Sequence, residues 1–163
     1  MEQRPKRKPT RLPHYDYSET GTYFITVCTK DKHCIFGRVL DAASEAETPV
    51  MQMSHTGLLV WQQIQTMANF YEHIAIDHFV VMPNHIHLLL SIHQSKEETT
   101  PANASVPRFV STLKRFSNKK AGMELWQRSY HDHVVRNEPD YLRIWQYIDS
   151  NAAKWKEDCF YQA

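Results

Sequence analysis

Very little in this chain could staple a secreted domain or span a bilayer. It has three cysteines, Cys28, Cys34 and Cys159, an odd number whose spacing matches no zinc pattern. No disulfide framework is expected, and a reduced, cytoplasmic setting is the simplest reading. No apolar run approaches the roughly 20 residues that a membrane helix needs. The opening residues are rich in proline and charge, which excludes a signal peptide as their reading. Net charge is nearly absent too: 19 Lys and Arg stand against 18 Asp and Glu. The overall balance therefore points to no class of partner. No internal repeat is visible.

Local charge says more. Between Met1 and Leu12 the cations Arg4, Lys6, Arg7, Lys8 and Arg11 face only Glu2. Between Pro107 and Lys120 stand Arg108, Lys114, Arg115, Lys119 and Lys120 with no acid among them. Acids collect instead over 41–47 and at Glu97 and Glu98. Positive charge clustered inside a neutral chain is the footprint expected of a phosphate-binding surface, although a solvated helix face would look the same.

Length and pattern predict one domain. The 163 residues, 42% of them hydrophobic, suffice for a core. Residues 1–13, broken by Pro5, Pro9 and Pro13, read as a flexible basic arm, leaving 14–163 as the folded unit. β-branched and aromatic residues predict a first strand over Thr22–Cys28, with a loop from there to about Met53. Val60, Ile64, Met67 and Tyr71 recur at helical spacing and predict a helix over Thr56–Tyr71. A second strand over Ala75–Met82 and a third over His85–Ile92 flank the turn residues Pro83 and Asn84. Residues 93–104 read as a loop. A second helix, Val106–Lys120, carries the stripe Val106, Phe109, Val110, Leu113 and Phe116. A short strand over His131–Arg136 precedes a last helix, capped by Asn137 with Asp140 three residues on and expected to reach Trp155. The order β-α-β-β-α-β plus one helix predicts an α+β, ferredoxin-like antiparallel sheet. Two helices would cover one face, and the final helix is free to cover the other.

The third strand carries the chemistry. Ile86, Leu88, Leu90 and Ile92 share one face, and His85, His87, Leu89 and Ser91 share the other. Two imidazoles at i and i+2 project together, about 7 Å apart by strand rise. They can grip one divalent metal, or they are two surface histidines on a half-buried strand; spacing alone leaves both open. On the last helix, Tyr147 and Asn151 are one turn apart, Arg143 extends their row, and Tyr147 edges the apolar stripe Tyr141, Ile144, Trp145, Ile148 and Ala152. A helix laid on the open sheet face would bring the phenol and the amide near the histidines.

The run Val81-Met82-Pro83-Asn84-His85-Ile86-His87-Leu88-Leu89 resembles the HUH strand of single-tyrosine transposases. The stretch from Leu125 to Arg136, the ending Trp145-Gln146-Tyr147-Ile148-Asp149-Ser150-Asn151 and the opening Gly21-Thr22-Tyr23-Phe24-Ile25-Thr26-Val27 are similar to other parts of that family. The nearest branch is that of the REP-associated tyrosine transposases, and the resemblance spans about Leu12 to Trp155. It implies an enzyme that cuts and rejoins single-stranded or hairpin DNA. Tyr147 would be its nucleophile, forming a 5′-phosphotyrosine, and His85, His87 and Asn151 would be ligands of a magnesium or manganese ion. Family members usually carry proline after that asparagine, where this chain has Ala152. Within the family both monomers and dimers with exchanged tyrosine helices occur, so either state is open. Arg108, Lys114, Arg115, Lys119 and Lys120 would meet the DNA. Tyr130, beside His131 and Asp132, is a rival nucleophile on composition alone. His78, His93 and His133 read as structural, and Trp126 as either core packing or a base-stacking platform. The competing classes are a non-catalytic nucleic-acid-binding module, expected to show aromatic pairs on its central strands, a replication-initiator-type HUH nuclease, and a structural domain with incidental histidines.

Overall fold

The computed structural model describes residues 21–93 and 105–163. The expected arm over 1–13 and most of the loop over 93–104 lie outside them. Six strands and three α-helices follow in the order β1 (Gly21–Cys28), β2 (Gly37–Leu40), β3 (Val50–Met53), α1 (His55–Met67), β4 (Ile74–Met82), β5 (His85–Ile92), α2 (Ser105–Ala121), β6 (His131–Val135) and α3 (Glu138–Asp149). The main sheet has the order β4-β5-β1-β6, with every neighbouring pair antiparallel. With the β2–β3 hairpin set aside, this is the ferredoxin-like arrangement that the element order predicts.

The pleat sorts residues between two cores. Tyr23, Ile25 and Val27 of β1 and Ile86, Leu88 and Leu90 of β5 are fully buried with Val60, Ile64 and Met67 of α1 and Phe109 and Leu113 of α2. Each such aliphatic side chain stabilises the fold by about 1.5–3 kcal/mol relative to exposure. On the opposite face Leu89 packs with Ile144 and Ile148 of α3. A bulge between Ile76 and His78 lets consecutive residues of β4 reach α3. Asp77 Oδ2 accepts from the Tyr141 hydroxyl at 3.1 Å, and His78 Nε2 lies 2.6 Å from Asp149 Oδ1 with its ring on Trp145.

Three expectations are corrected. The segment read as a loop to Met53 contains the β2–β3 hairpin. Its four-residue strands are too short for a period to declare itself, and the backbone at Gly37, φ 139°, is one that other residues rarely adopt. The first helix ends at Met67, after which Tyr71 packs on the core and bonds Thr112 through its hydroxyl at 2.8 Å. The last helix ends at Asp149 and not near Trp155. Ser150 turns its hydroxyl onto the Gln146 carbonyl at 2.8 Å, and Asn151 N bonds Ile148 O, a tightening that closes a helix.

The hairpin docks against α1 so closely that only glycine fits. A Cβ on Gly57 would lie 2.0 Å from Phe36 O. Gly57→Ala is therefore expected to destabilise the protein by about 3 kcal/mol, lowering the melting temperature by about 6–12 °C. A thermal melt within 2 °C of wild type would refute this close approach.

Candidate active site

Register and alternation assemble the site. His85 pairs across β1 with Cys28, and His87 with Thr26, on the face away from α1 and α2. Helix α3 starts where Asn137 Oδ1 accepts from Asp140 N at 2.9 Å. It is then pinned by Ile144 and Ile148, which turns Tyr147 toward the histidines. The Tyr147 ring lies 5.2 Å from that of His87 and 6.0 Å, edge-on, from that of Phe24. Asn151 stands in the turn just past α3, 2% exposed.

Both histidines are buried and oriented by neighbours. The Asn84 amide donates to Lys32 O and to Phe160 O, so its Oδ1 is left to accept from His85 Nδ1–H at 2.9 Å. In neutral His85 the lone pair is thus on Nε2. His87 Nδ1 bonds the Thr26 hydroxyl at 2.8 Å. The two Nε2 atoms face each other at 3.1 Å. Such a pair must share a proton or a cation between them. Burial drives the His85 pKa down to about 4, against the opposing pull of the Asp158 charge and of Asn151. Burial and then His85 drive His87 well below its ordinary value. Neutral imidazole is the form that binds metal.

The residue that sequence reasoning missed is Asp158. Ligand atoms of His85, His87 and Asp158 lie within 4.8 Å of one another. Asp158 Oδ2 accepts from the Tyr147 hydroxyl and from Asn151 Nδ2, each at 3.4 Å, while Oδ1 accepts from Phe160 N at 2.8 Å. After α3 the chain reverses through a 3₁₀ turn, Trp155–Glu157. That reversal sets Phe160 over His85, with ring centroids 4.5 Å apart. No periodicity in the sequence announces it. Thr26 could have been found, since it is the β1 residue sharing a face with His87.

The donor set suits a divalent cation. It offers two neutral imidazoles and a carboxylate, and Asn151 Oδ1 is buried without a hydrogen bond. Nitrogen ligands each about 2.1 Å from one metal come to roughly the separation seen between the two Nε2 atoms. Imidazole with carboxylate and amide oxygen is compatible with manganese, zinc or magnesium. Tyr147, 37% exposed, has its pKa raised to about 12, first by burial and then by the Asp158 charge.

Metal-free protein should show the histidine burial in its pH dependence. Both imidazoles take up protons more readily in the unfolded chain than in the fold, so stability is fully present above pH 6.5 and falls as pH drops from there toward 4. A urea midpoint in chelator that is lower at pH 5 than at pH 7.5 is expected; equal midpoints would count against buried neutral histidines.

The other expected residues scatter. Tyr130 is buried in the main core, and Tyr141 is bound to Asp77. His133 bonds Asp140, and His78 bonds Asp149. Trp126 is buried, its Nε1 donating to Ser117 Oγ at 2.8 Å, which removes it as a stacking platform. Arg108, Lys114, Arg115, Lys119 and Lys120 all lie on α2, behind the sheet from the histidines. Lys114 Nζ is held by Gln127 O at 2.7 Å and Ser129 O at 3.2 Å, and burial lowers its pKa to about 8. It tethers the segment before β6, leaving the other four as the exposed cations of that helix. Among the described residues no helix is long and apolar enough to cross a membrane.

The fold and this cluster define a ferredoxin-like α+β protein with a candidate metal site facing a tyrosine helix. No family model matches the chain. It is 31% identical over 174 residues to an uncharacterized protein of Haemophilus influenzae, covering 95% of this chain and 93% of that one. It is also similar to the solved structure of a REP-associated tyrosine transposase bound to a REP hairpin, with a TM-score of 0.63 and 18% identity over 88% of this chain and 74% of the other. The chain belongs to the family of the Haemophilus protein, and its fold is that of the REP-associated tyrosine transposase, in agreement with the resemblance of its motifs.

Proposed function

We propose that this protein is a single-tyrosine HUH transposase that cuts and rejoins single-stranded DNA. The observation that carries the reading is the meeting of Tyr147 with His87 across α3 and β5. His85, His87 and Asn151 would hold a magnesium or manganese ion, with Asp158 beside them. When bound, the cation would draw charge from the scissile phosphate. The Tyr147 oxygen attacks phosphorus in line; a bond from phosphorus to the phenol oxygen forms as the bond to the 3′ oxygen breaks. The 3′-hydroxyl leaves, and the 5′-phosphate stays on Tyr147. Because the phosphodiester's energy is kept, a 3′-hydroxyl can reverse the step and rejoin DNA.

The phenol must lose its proton, and its raised pKa makes that harder. Asp158 Oδ2, 3.4 Å from the Tyr147 oxygen, is the carboxylate placed to take it. Phe160 and Trp155 pack on the His85 ring, with centroids 4.5 and 6.0 Å away. Arg108, Arg115, Lys119 and Lys120 are proposed to hold duplex DNA, such as a hairpin stem, behind the sheet. All the proposed active-site residues come from one chain, so this reading needs no second copy.

The test is direct. Labelled hairpin DNA with an unpaired extension, incubated with protein and manganese or magnesium, should yield an adduct that survives a denaturing gel. Binding without any adduct would favour the non-catalytic module.

A further inference from the structure

Three concavities run in a row along β6, and only the middle one contains Tyr147. The first, about 1020 Å³, lies at the end of β1 and is lined by Lys30, Lys32, Arg128 and His131 among others. The second, about 320 Å³, is lined by Phe24, Thr26, His87, His133, Arg143 and Tyr147, with Phe160 at its edge. The third, about 480 Å³, holds His133, Arg136 and Arg143. The second and third share His133 and Arg143. The first adjoins the second in the sheet, since its His131 pairs across β1 with Thr26 of the second.

Charge along this strip departs from that of the chain. Lys30, Lys32, Arg128, Arg136 and Arg143 line the three concavities against Asp31, Glu124 and Asp140, the ammonium of Lys114 beside the first being held by Gln127 O and Ser129 O. Five cations facing three carboxylates stand out in a protein whose formal charge is +1. Asp140 is paired within the strip: its Oδ1 takes Arg143 Nη2 at 2.5 Å and its Oδ2 takes His133 Nε2 at 2.7 Å. Arg143 is thereby steadied one helical turn before Tyr147, with its side chain 69% exposed. The strip also offers Phe24 and Phe160 as aromatic faces in its middle concavity. Cations tracking a backbone, with aromatics between them, match an unpaired nucleic-acid strand.

We infer that this strip is the track of the unpaired DNA strand, and that Arg143, oriented by Asp140 and His133, holds a phosphate adjoining the one that Tyr147 attacks. The inference rests on the reading of Tyr147 as the nucleophile. It assigns the single strand to the β6 edge, in contrast to the duplex proposed for α2. Arg143 is a positioning residue in this scheme, because the phosphate it holds is not the one that reacts.

The experiment measures affinity against salt with two probes, an unpaired oligonucleotide and a blunt hairpin without extension, for wild type and for a variant combining Arg128→Gln, Arg136→Gln and Arg143→Gln. These three side chains are surface-exposed, and a thermal melt checks that the variant folds. Three lost phosphate contacts should flatten the logarithmic salt slope on the single strand by about 2, leaving the blunt-hairpin slope unchanged. Replacing Arg143→Gln by Arg143→Lys in that variant should recover about a third of the loss. An unchanged single-strand slope, or an equal loss on both probes, overturns the track. Adduct formation by wild type is scored in parallel. An adduct with unchanged slopes sinks the track alone, whereas slope loss with no adduct from wild type sinks the nucleophile reading and leaves the track standing.

Discussion

Tyr147→Phe is expected to remove the covalent protein–DNA adduct, by about 10³-fold or more, while leaving the fold intact. The phenol oxygen's bond to Asp158 is long, at 3.4 Å, and the ring keeps its edge contact with Phe24 in the variant. Stability should therefore change by no more than about 0.5 kcal/mol. The measurement pairs a denaturing gel with a thermal melt. Tyr130→Phe serves as the contrast. Its ring lies in the main core, on the other side of the sheet from the histidines. Adduct formation that survives Tyr147→Phe and is lost in Tyr130→Phe would overturn the assignment of the nucleophile.

The second large effect concerns the metal. Adding manganese to chelated wild-type protein at a hundred times its dissociation constant should stabilise the fold by about 2.7 kcal/mol, and chelator should abolish the adduct until metal is restored. In His87→Ala both responses should vanish. That variant loses a side chain only 1% exposed and its bond to Thr26, so its own stability falls by about 2–3 kcal/mol. The wild-type chelation arm keeps the test independent of that loss. Full adduct formation in chelator would refute the metal's role, whatever the variant does.

Much of the site was legible in the sequence because it lies on elements with strong periods. Ile86, Leu88 and Leu90 alternate with His85 and His87 so cleanly that the strand, its buried face and the direction of the imidazoles follow from the pleat alone. The stripe through Ile144 and Ile148 likewise implied a helix whose edge carries Tyr147. Asp158 and Phe160 were invisible because their placement depends on a chain reversal beyond Ser150, where hydrogen bonds and not periodicity decide the path. The hairpin between β1 and α1 escaped for a related reason: four-residue strands outside the main sheet depend on close approaches, at Gly37 between the two strands and at Gly57, where α1 meets Phe36. Lys114 shows the opposite failure. Its position among cations suggested a phosphate contact, but a tertiary contact captured its ammonium for two backbone carbonyls.

The pleat of β1 and β5 has a practical consequence for redesign. Odd-numbered positions of β1 and even-numbered positions of β5 feed the interior, whereas Phe24, Thr26, His85, His87 and Leu89 report to the opposite side. The sheet therefore acts as a partition one residue thick. Substitutions at Phe24 and Thr26 reach the lining beside Tyr147, the packing under α3 and the bond to His87, while leaving the core under α1 and α2 untouched.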